Sequence, residues 1–207
     1  MNNVHYFGII LCMENEKQAD SLKKVVCIVE NTEWHREEMQ VFNNLITDLY
    51  MGKGLQSIAD RGAELIGNPI VILDTSFKCL AITSDFVPDD DAMKRNKILG
   101  YLDETTLTNL RNSRYLHTLS KAGEPIVSDY SANQAHGVSS GFGWIDAPIR
   151  LHGILVGYLD VYGTRKNFSK QDAFYVEKLV QLSSMELQKD SMFRQNHGIE
   201  FEALLAD

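Results

Sequence analysis

The chain has 207 residues and a mass of 23.4 kDa, enough for one or two domains with a real core. A hydrophobic fraction of 44%, with only 4 Pro and 14 Gly, excludes a disordered, collagen-like or low-complexity protein. With 20 Lys+Arg against 28 Asp+Glu the formal charge is −8, which argues against a surface that neutralises phosphates.

Tyr6 to Met13 reads as a buried strand, and Glu14 to Glu30 as a charged helix. From His35, apolar residues recur at Met39, Phe42, Leu45, Ile46, Leu49 and Tyr50, the spacing of a helix. A second helix carries Leu55, Ile58, Ala59, Leu65 and Ile66 on one face. It should end at Gly67-Asn68-Pro69, because Gly suits the left-handed position and Pro cannot continue the helix. Ile70 to Leu73 and Phe77 to Thr83, joined by Asp74-Thr75-Ser76, form a hairpin. Pro88-Asp89-Asp90-Asp91 opens a short helix, and Asp103 caps another that runs through Leu119. Pro125 to Asp129 is a short strand, and Ser131 to Gly143 a polar, Gly-rich loop. Trp144 to Leu151 and Ile154 to Tyr162 are strands around a two-residue turn, His152-Gly153. Ser169 and Asp172 then make a capping box for a long helix with the stripe Val176, Leu179, Val180, Ser183 and Leu187. His197-Gly198 should break that helix, and residues 199–205 begin a new amphipathic segment that we expect to continue past Asp207.

Motifs that could carry chemistry are sparse. Cys12, Cys27 and Cys79 are widely spaced among apolar neighbours and read as core thiols in a reducing compartment. With the six His equally scattered, no metal site is expected, and Asp89-Asp90-Asp91 is better read as complementing a helix N-terminus. Gly137-Val138-Ser139-Ser140-Gly141 matches the G-x-S-x-G elbow of serine hydrolases, but a polar loop precedes it and a strand follows. The glycines at 137, 141 and 143 lack the Lys-Ser/Thr tail of a phosphate loop, so no cofactor is expected. Asp74, Asp146 and Asp160 read as isolated acids on or beside strands, and alternation favours solvent for them. No apolar run approaches the ~18 residues of a membrane span.

The order helix, helix, strand, strand, small helices, three strands, long helix resembles a GAF-type sensor domain. Several phrases narrow the resemblance: Leu65-Ile66-Gly67-Asn68-Pro69-Ile70-Val71-Ile72-Leu73-Asp74, Leu80-Ala81, Gly100-Tyr101-Leu102, Ala147-Pro148-Ile149-Arg150 and Gly157-Tyr158-Leu159. With Glu186 to Asp190 and Phe201 to Asp207, they are similar to the sensory region of PucR/CdaR-type bacterial transcriptional regulators. The resemblance implies a cytoplasmic regulator whose DNA contacts come only through a helix-turn-helix domain C-terminal to this chain.

The fold expected is therefore α+β: a GAF-like antiparallel sheet of about five or six strands, flanked by helices packed on one face, with a long C-terminal helix. Residues 1–34 form an N-terminal strand/helix extension, 35–195 the sensor domain and 196–207 the start of a linker helix. The function expected is small-molecule sensing and dimerisation without catalysis. Its alternatives are a Ser139 hydrolase and a ligand-free dimerisation scaffold. Tyr130, His136, Phe142, Trp144 and Arg150 should wall the pocket between the sheet and the 131–143 loop, with Arg150 pairing a carboxylate or phosphate. A homodimer is expected from surplus apolar residues on two helices, Leu182, Met185 and Met192 on one and Phe42, Ile46 and Leu49 on the other.

Overall fold

The first strand of the central sheet, Ile70–Asp74, begins where the helical spacing of the preceding segment gives way, after Gly67-Asn68-Pro69, to a continuous apolar run. The computed structural model describes residues 36–88, 91–102, 104–128 and 141–204, the side chains of 36, 91–93 and 190–204 excepted. These residues lie within one compact unit, Trp34–Asp207. In chain order the elements are α1 (Arg36–Tyr50), α2 (Gly54–Ile66), β1 (Ile70–Asp74), β2 (Cys79–Ile82), α3 (Asp91–Leu99), α4 (Glu104–Asn112) and α5 (Tyr115–Lys121). β3 (Ile126–Ser128), β4 (Trp144–Leu151), β5 (Ile154–Tyr162) and α6 (Lys170–Leu204) follow. The five strands form one antiparallel sheet in the order β2-β1-β5-β4-β3.

The punctuation works as its chemistry requires. Gly67 ends α2 at φ +76°, its N–H donating to the Ala63 carbonyl at 2.8 Å. His152 (φ +52°) and Gly153 (φ +82°) both take the positive φ that a two-residue hairpin turn demands. The Ser169 N–H donates to the Asp172 carboxylate at 2.6 Å and starts α6. Asn68, fully buried, straps the loop before α6: it accepts from the N–H groups of Arg165 (3.0 Å) and Lys166 (3.1 Å) and donates to the Lys166 carbonyl (2.9 Å).

Strand alternation divides the sheet into two faces. On the first, Ile70, Ile72, Ile145, Ile149, Leu159 and Val161 are buried together with residues of α1, α2 and α6. The packing is close, since a Cβ on Gly62 of α2 would lie 2.6 Å from Ile70 and 2.8 Å from Leu179. On the second face, Val71, Leu73 and Tyr158 pack against Phe77, Leu102, Leu107, Leu110, Tyr115 and Leu119. Helices therefore cover both faces, whereas the sequence pattern suggested one. The short helices α4 and α5 supply the second cover, and β4 is accordingly buried on both sides over its first six residues.

Four other expectations are corrected. The helix expected from 103 to 119 is two helices, because Arg114 adopts the left-handed conformation at φ +60° and turns the chain between α4 and α5. β2 is shorter than Phe77 to Thr83, because Phe77 (φ +64°) belongs to the turn that Asp74 organises by accepting from the Ser76 and Lys78 N–H groups. α6 runs without interruption through His197-Gly198 to Leu204, so a single Gly does not end it. Finally, Phe42, Leu49 and Leu182 are buried inside this chain and are not surplus: Leu182 is only 1% exposed. Met185 and Ile46 remain half-buried. The expected strand Tyr6 to Met13 and helix Glu14 to Glu30 lie outside the described residues.

Candidate functional site

Because β4 and β5 pair in antiparallel register, Asp146 stands directly opposite Asp160 on the second face. Both are 7% exposed, so two carboxyls meet side by side in the interior. Burial pushes Asp146 up to about 7, opposed by hydrogen bonds from Tyr115 and Asp160. Asp160 is pushed well up, by burial first and then by the charge and hydrogen bond of Asp146. The Tyr115 hydroxyl donates to Asp146 Oδ2 at 2.5 Å and accepts from Trp144 Nε1 at 3.1 Å, while Ser128 also hydrogen-bonds to it. Trp144 and Tyr115 meet edge to face with ring centroids 6.2 Å apart. Burial and Asp146 raise the Tyr115 hydroxyl, so it stays a donor.

Alongside the pair lies a cavity of about 40 Å³. Its apolar wall is built by Val71, Leu73, Ile82, Phe86, Leu102 and Tyr162, with Cys79, Tyr101, Asn96 and Lys97 around them. Val71 is the register partner of Asp160, and Tyr162 is its same-face neighbour two residues on, so cavity and carboxyl pair are contiguous on the sheet. Cys79 is half-buried, and burial raises its thiol with a further push from the Asp160 charge. Phe86 stacks on Tyr162 with centroids 6.1 Å apart, and Tyr162 in turn meets the edge of Phe142 at 5.9 Å. On the far side, Lys97 of α3 donates to the Phe86 carbonyl and lies 6.0 Å from the centre of its ring. The wall made by α3 is joined to the sheet through its following turn, where the Cys79 N–H donates to the Gly100 carbonyl at 2.7 Å.

No family model matches the chain, and no curated protein matches it in sequence. Solved structures do. The GAF domain of a phosphoenolpyruvate-protein phosphotransferase from Coxiella burnetii is similar with a TM-score of 0.51 at 13% identity, covering 76% of this chain and 96% of that one. The phycoerythrobilin-bound GAF domain of a cyanobacterial phytochrome is similar with a TM-score of 0.52 at 13% identity, covering 79% and 100%. The chain has the GAF fold.

Within this GAF sheet the residues singled out from sequence are spread apart. Trp144 is buried and hydrogen-bonded to Tyr115, on the carboxyl-pair side of the face. Phe142 packs edge to face with Tyr162, which lines the cavity. Arg150, half-buried at the end of β4, donates to the carbonyls of Ser120 in α5 and Gly153 in the hairpin turn, the latter at 3.2 Å. None of these three is among the residues that line the cavity. Tyr130, His136, Gly137 and Ser139 lie outside the described residues, as do Asp89 and Asp90. Among the described residues no group of three or more His, Cys, Asp or Glu could hold a metal ion, and no helix is long and apolar enough to cross a membrane.

The reading of Asp146 and Asp160 as isolated acids facing solvent is corrected. Alternation places them on one face of the sheet, but α5 covers that face. Turn spacing alone would have set Asp146 opposite Leu159; the one-residue bulge between Ile149 and Arg150 shifts the register and brings Asp160 opposite instead, so the pairing was not readable from the hairpin turn.

Proposed function

We propose that the chain is the small-molecule-sensing and dimerising module of a cytoplasmic transcription regulator of the PucR/CdaR kind, with no catalysis of its own. The observation that carries the sensing role is the apolar cavity on the second face of a GAF sheet, with Asn96 and Lys97 at its margin. A similar phytochrome domain is one that holds phycoerythrobilin, so this architecture can host a ligand. A cavity of about 40 Å³ holds little more than a water, so a metabolite enters by displacing α3 and Phe86. The Phe142 ring beside Tyr162 then becomes part of the wall, together with Tyr130, His136 and Trp144. Arg150 anchors an anionic group if its bonds to the Ser120 and Gly153 carbonyls are exchanged.

The regulator context rests on the resemblance of the sequence phrases to those of PucR/CdaR-type proteins. Dimerisation rests on what the core leaves over: Ile46, Val180, Met185 and Leu187 are half-buried, and Tyr50 and Met51 are exposed at the end of α1. The small cavity also favours a second reading, a ligand-free dimerisation scaffold.

A thermal-shift panel of amino acids, purines and carboxylates separates the two. Sensing requires a compound that raises the melting temperature in proportion to the logarithm of its concentration, an effect lost when Cys79→Phe fills the cavity. A panel without hits, on a chain that light scattering shows as a dimer, supports the scaffold. A 23.4 kDa monomer at tens of micromolar refutes both dimer readings.

A further inference from the structure

The carboxyl pair does work that ligand binding does not require. Asp146 and Asp160 face each other across β4 and β5, and the ladder on both sides of them fixes their separation. Among the described residues no Lys or Arg neutralises either one. Around them stand Tyr115 from α5, Ser128 from β3, Trp144 from β4, Tyr158 and Tyr162 from β5 and Cys79 from β2, all neutral at pH 7. Arg150, at the end of β4, is committed to the Ser120 and Gly153 carbonyls, and Lys97, across the cavity, to the Phe86 carbonyl. Two touching carboxylates in such surroundings cannot both be charged.

We infer that Asp146 and Asp160 share a proton that latches α5 onto the sheet, so that the second face opens when that proton is withdrawn. The proton belongs to the pair, and Asp146 also accepts from the Tyr115 hydroxyl. When the pair loses its last proton, two negative charges face each other in the interior and one of them must reach water. The strands cannot part, because they are hydrogen-bonded on either side of the pair. α5 can, since it is seven residues long and tied to β4 by Tyr115 at its start and by the Ser120 carbonyl near its end. Its release uncovers Asp146 and takes the acceptor away from the Trp144 indole. The latch acts on the face that carries the cavity, yet it stands without any ligand.

The test uses the whole chain with Trp34→Phe, which leaves Trp144 as the only tryptophan. Trp144 emission and amide exchange of α5 are followed from about pH 6 to about pH 9. Exchange rates are corrected for the intrinsic effect of pH, and [13C]carboxyl signals of aspartate are recorded in parallel. The latch requires a red shift of emission with rising pH and α5 amides that open at least about tenfold more at the alkaline end, the factor of one pH unit of proton linkage. Asp160→Asn, which removes one charge of the pair and keeps an amide donor beside Asp146, must abolish both changes and stay in the low-pH form. A pH-insensitive α5 in the parent overturns the inference, as does an unchanged transition in Asp160→Asn. If that variant fails to fold, the carboxyl signals decide alone: both aspartates fully ionised at about pH 6 would overturn it, and one still protonated there, with α5 opening as it ionises, supports it.

Discussion

Replacing Tyr115 with Phe keeps the ring in place and removes one oxygen atom. The ring is 5% exposed among Leu107, Leu110 and Leu119, so its packing is preserved. What is lost is the 2.5 Å hydrogen bond to Asp146, the acceptor, 3.1 Å away, for the buried Trp144 indole, and the bond with Ser128. A hydrogen bond to a charged group contributes about 1.5–3 kcal/mol, and a buried donor left without a partner costs about 1–3 kcal/mol. These interactions share an atom and are not additive, so the expected loss is about 2–4 kcal/mol. The loss also depends on pH. The Tyr115 bond holds the Asp146 value down against burial, so its removal raises that value further above the unfolded one. A group raised on folding gives stability that is lost as pH rises through its folded value, so, with α5 still closed, the variant suffers more at about pH 7 than at about pH 5. Urea unfolding at those two pH values measures both effects, with the denaturant slope expected to stay constant. A loss below about 0.5 kcal/mol, or an equal loss at both pH values, would refute the reasoning.

Three further outcomes are expected. Gly157→Ala puts a Cβ 2.3 Å from the Leu73 carbonyl oxygen, a main-chain atom that cannot swing aside, so the variant should unfold or lose more than about 3 kcal/mol in a thermal scan. Asn68→Ala strips three main-chain partners from the strap before α6 and should cost about 2–4 kcal/mol in urea, with hydrogen exchange rising first at 165–166. For the whole protein, Asp146 and Asp160 are raised on folding, so the folded chain binds more protons than the unfolded one between about pH 4 and about pH 7. Stability should therefore fall by about 1.4 kcal/mol per pH unit per extra proton from pH 5 to pH 7, and Asp146→Asn should flatten that slope. Asp74, held low by hydrogen bonds from Ser76 and Lys78, acts in the opposite sense, but only below about pH 4, outside that window.

What could be read from sequence was whatever one element decides alone. The β4–β5 hairpin was legible because His152-Gly153 fixes its turn and the flanking strands are long and apolar. The end of α2 and the start of α6 were legible because Gly67 and the Ser169/Asp172 pair act within one turn of helix. What failed was decided by neighbours. Arg114 carries no left-handed signature, so the break between α4 and α5 is imposed by packing Leu107, Leu110, Tyr115 and Leu119 onto one sheet face. Gly198 looked like a terminator, yet one Gly costs a long helix only about 1 kcal/mol. Leu182 looked surplus because a helix wheel does not show that α6 lies against both α2 and β4. The carboxyl pair needed the register of two strands before either residue could be placed, and the cavity draws its lining from β1, β2, β5, α3 and the segment before and after α3.

Whether the second face of the sheet receives a small molecule is decided by methyl NMR of the chain titrated with each compound of the panel. A sensing cavity requires at least one compound that shifts Val71, Leu73, Ile82 and Leu102 saturably, with those shifts gone in Cys79→Phe and the methyls of Ile58, Ile145 and Leu179 on the first face little moved. Saturable shifts confined to the first face, or surviving unchanged in the filled-cavity variant, would contradict it.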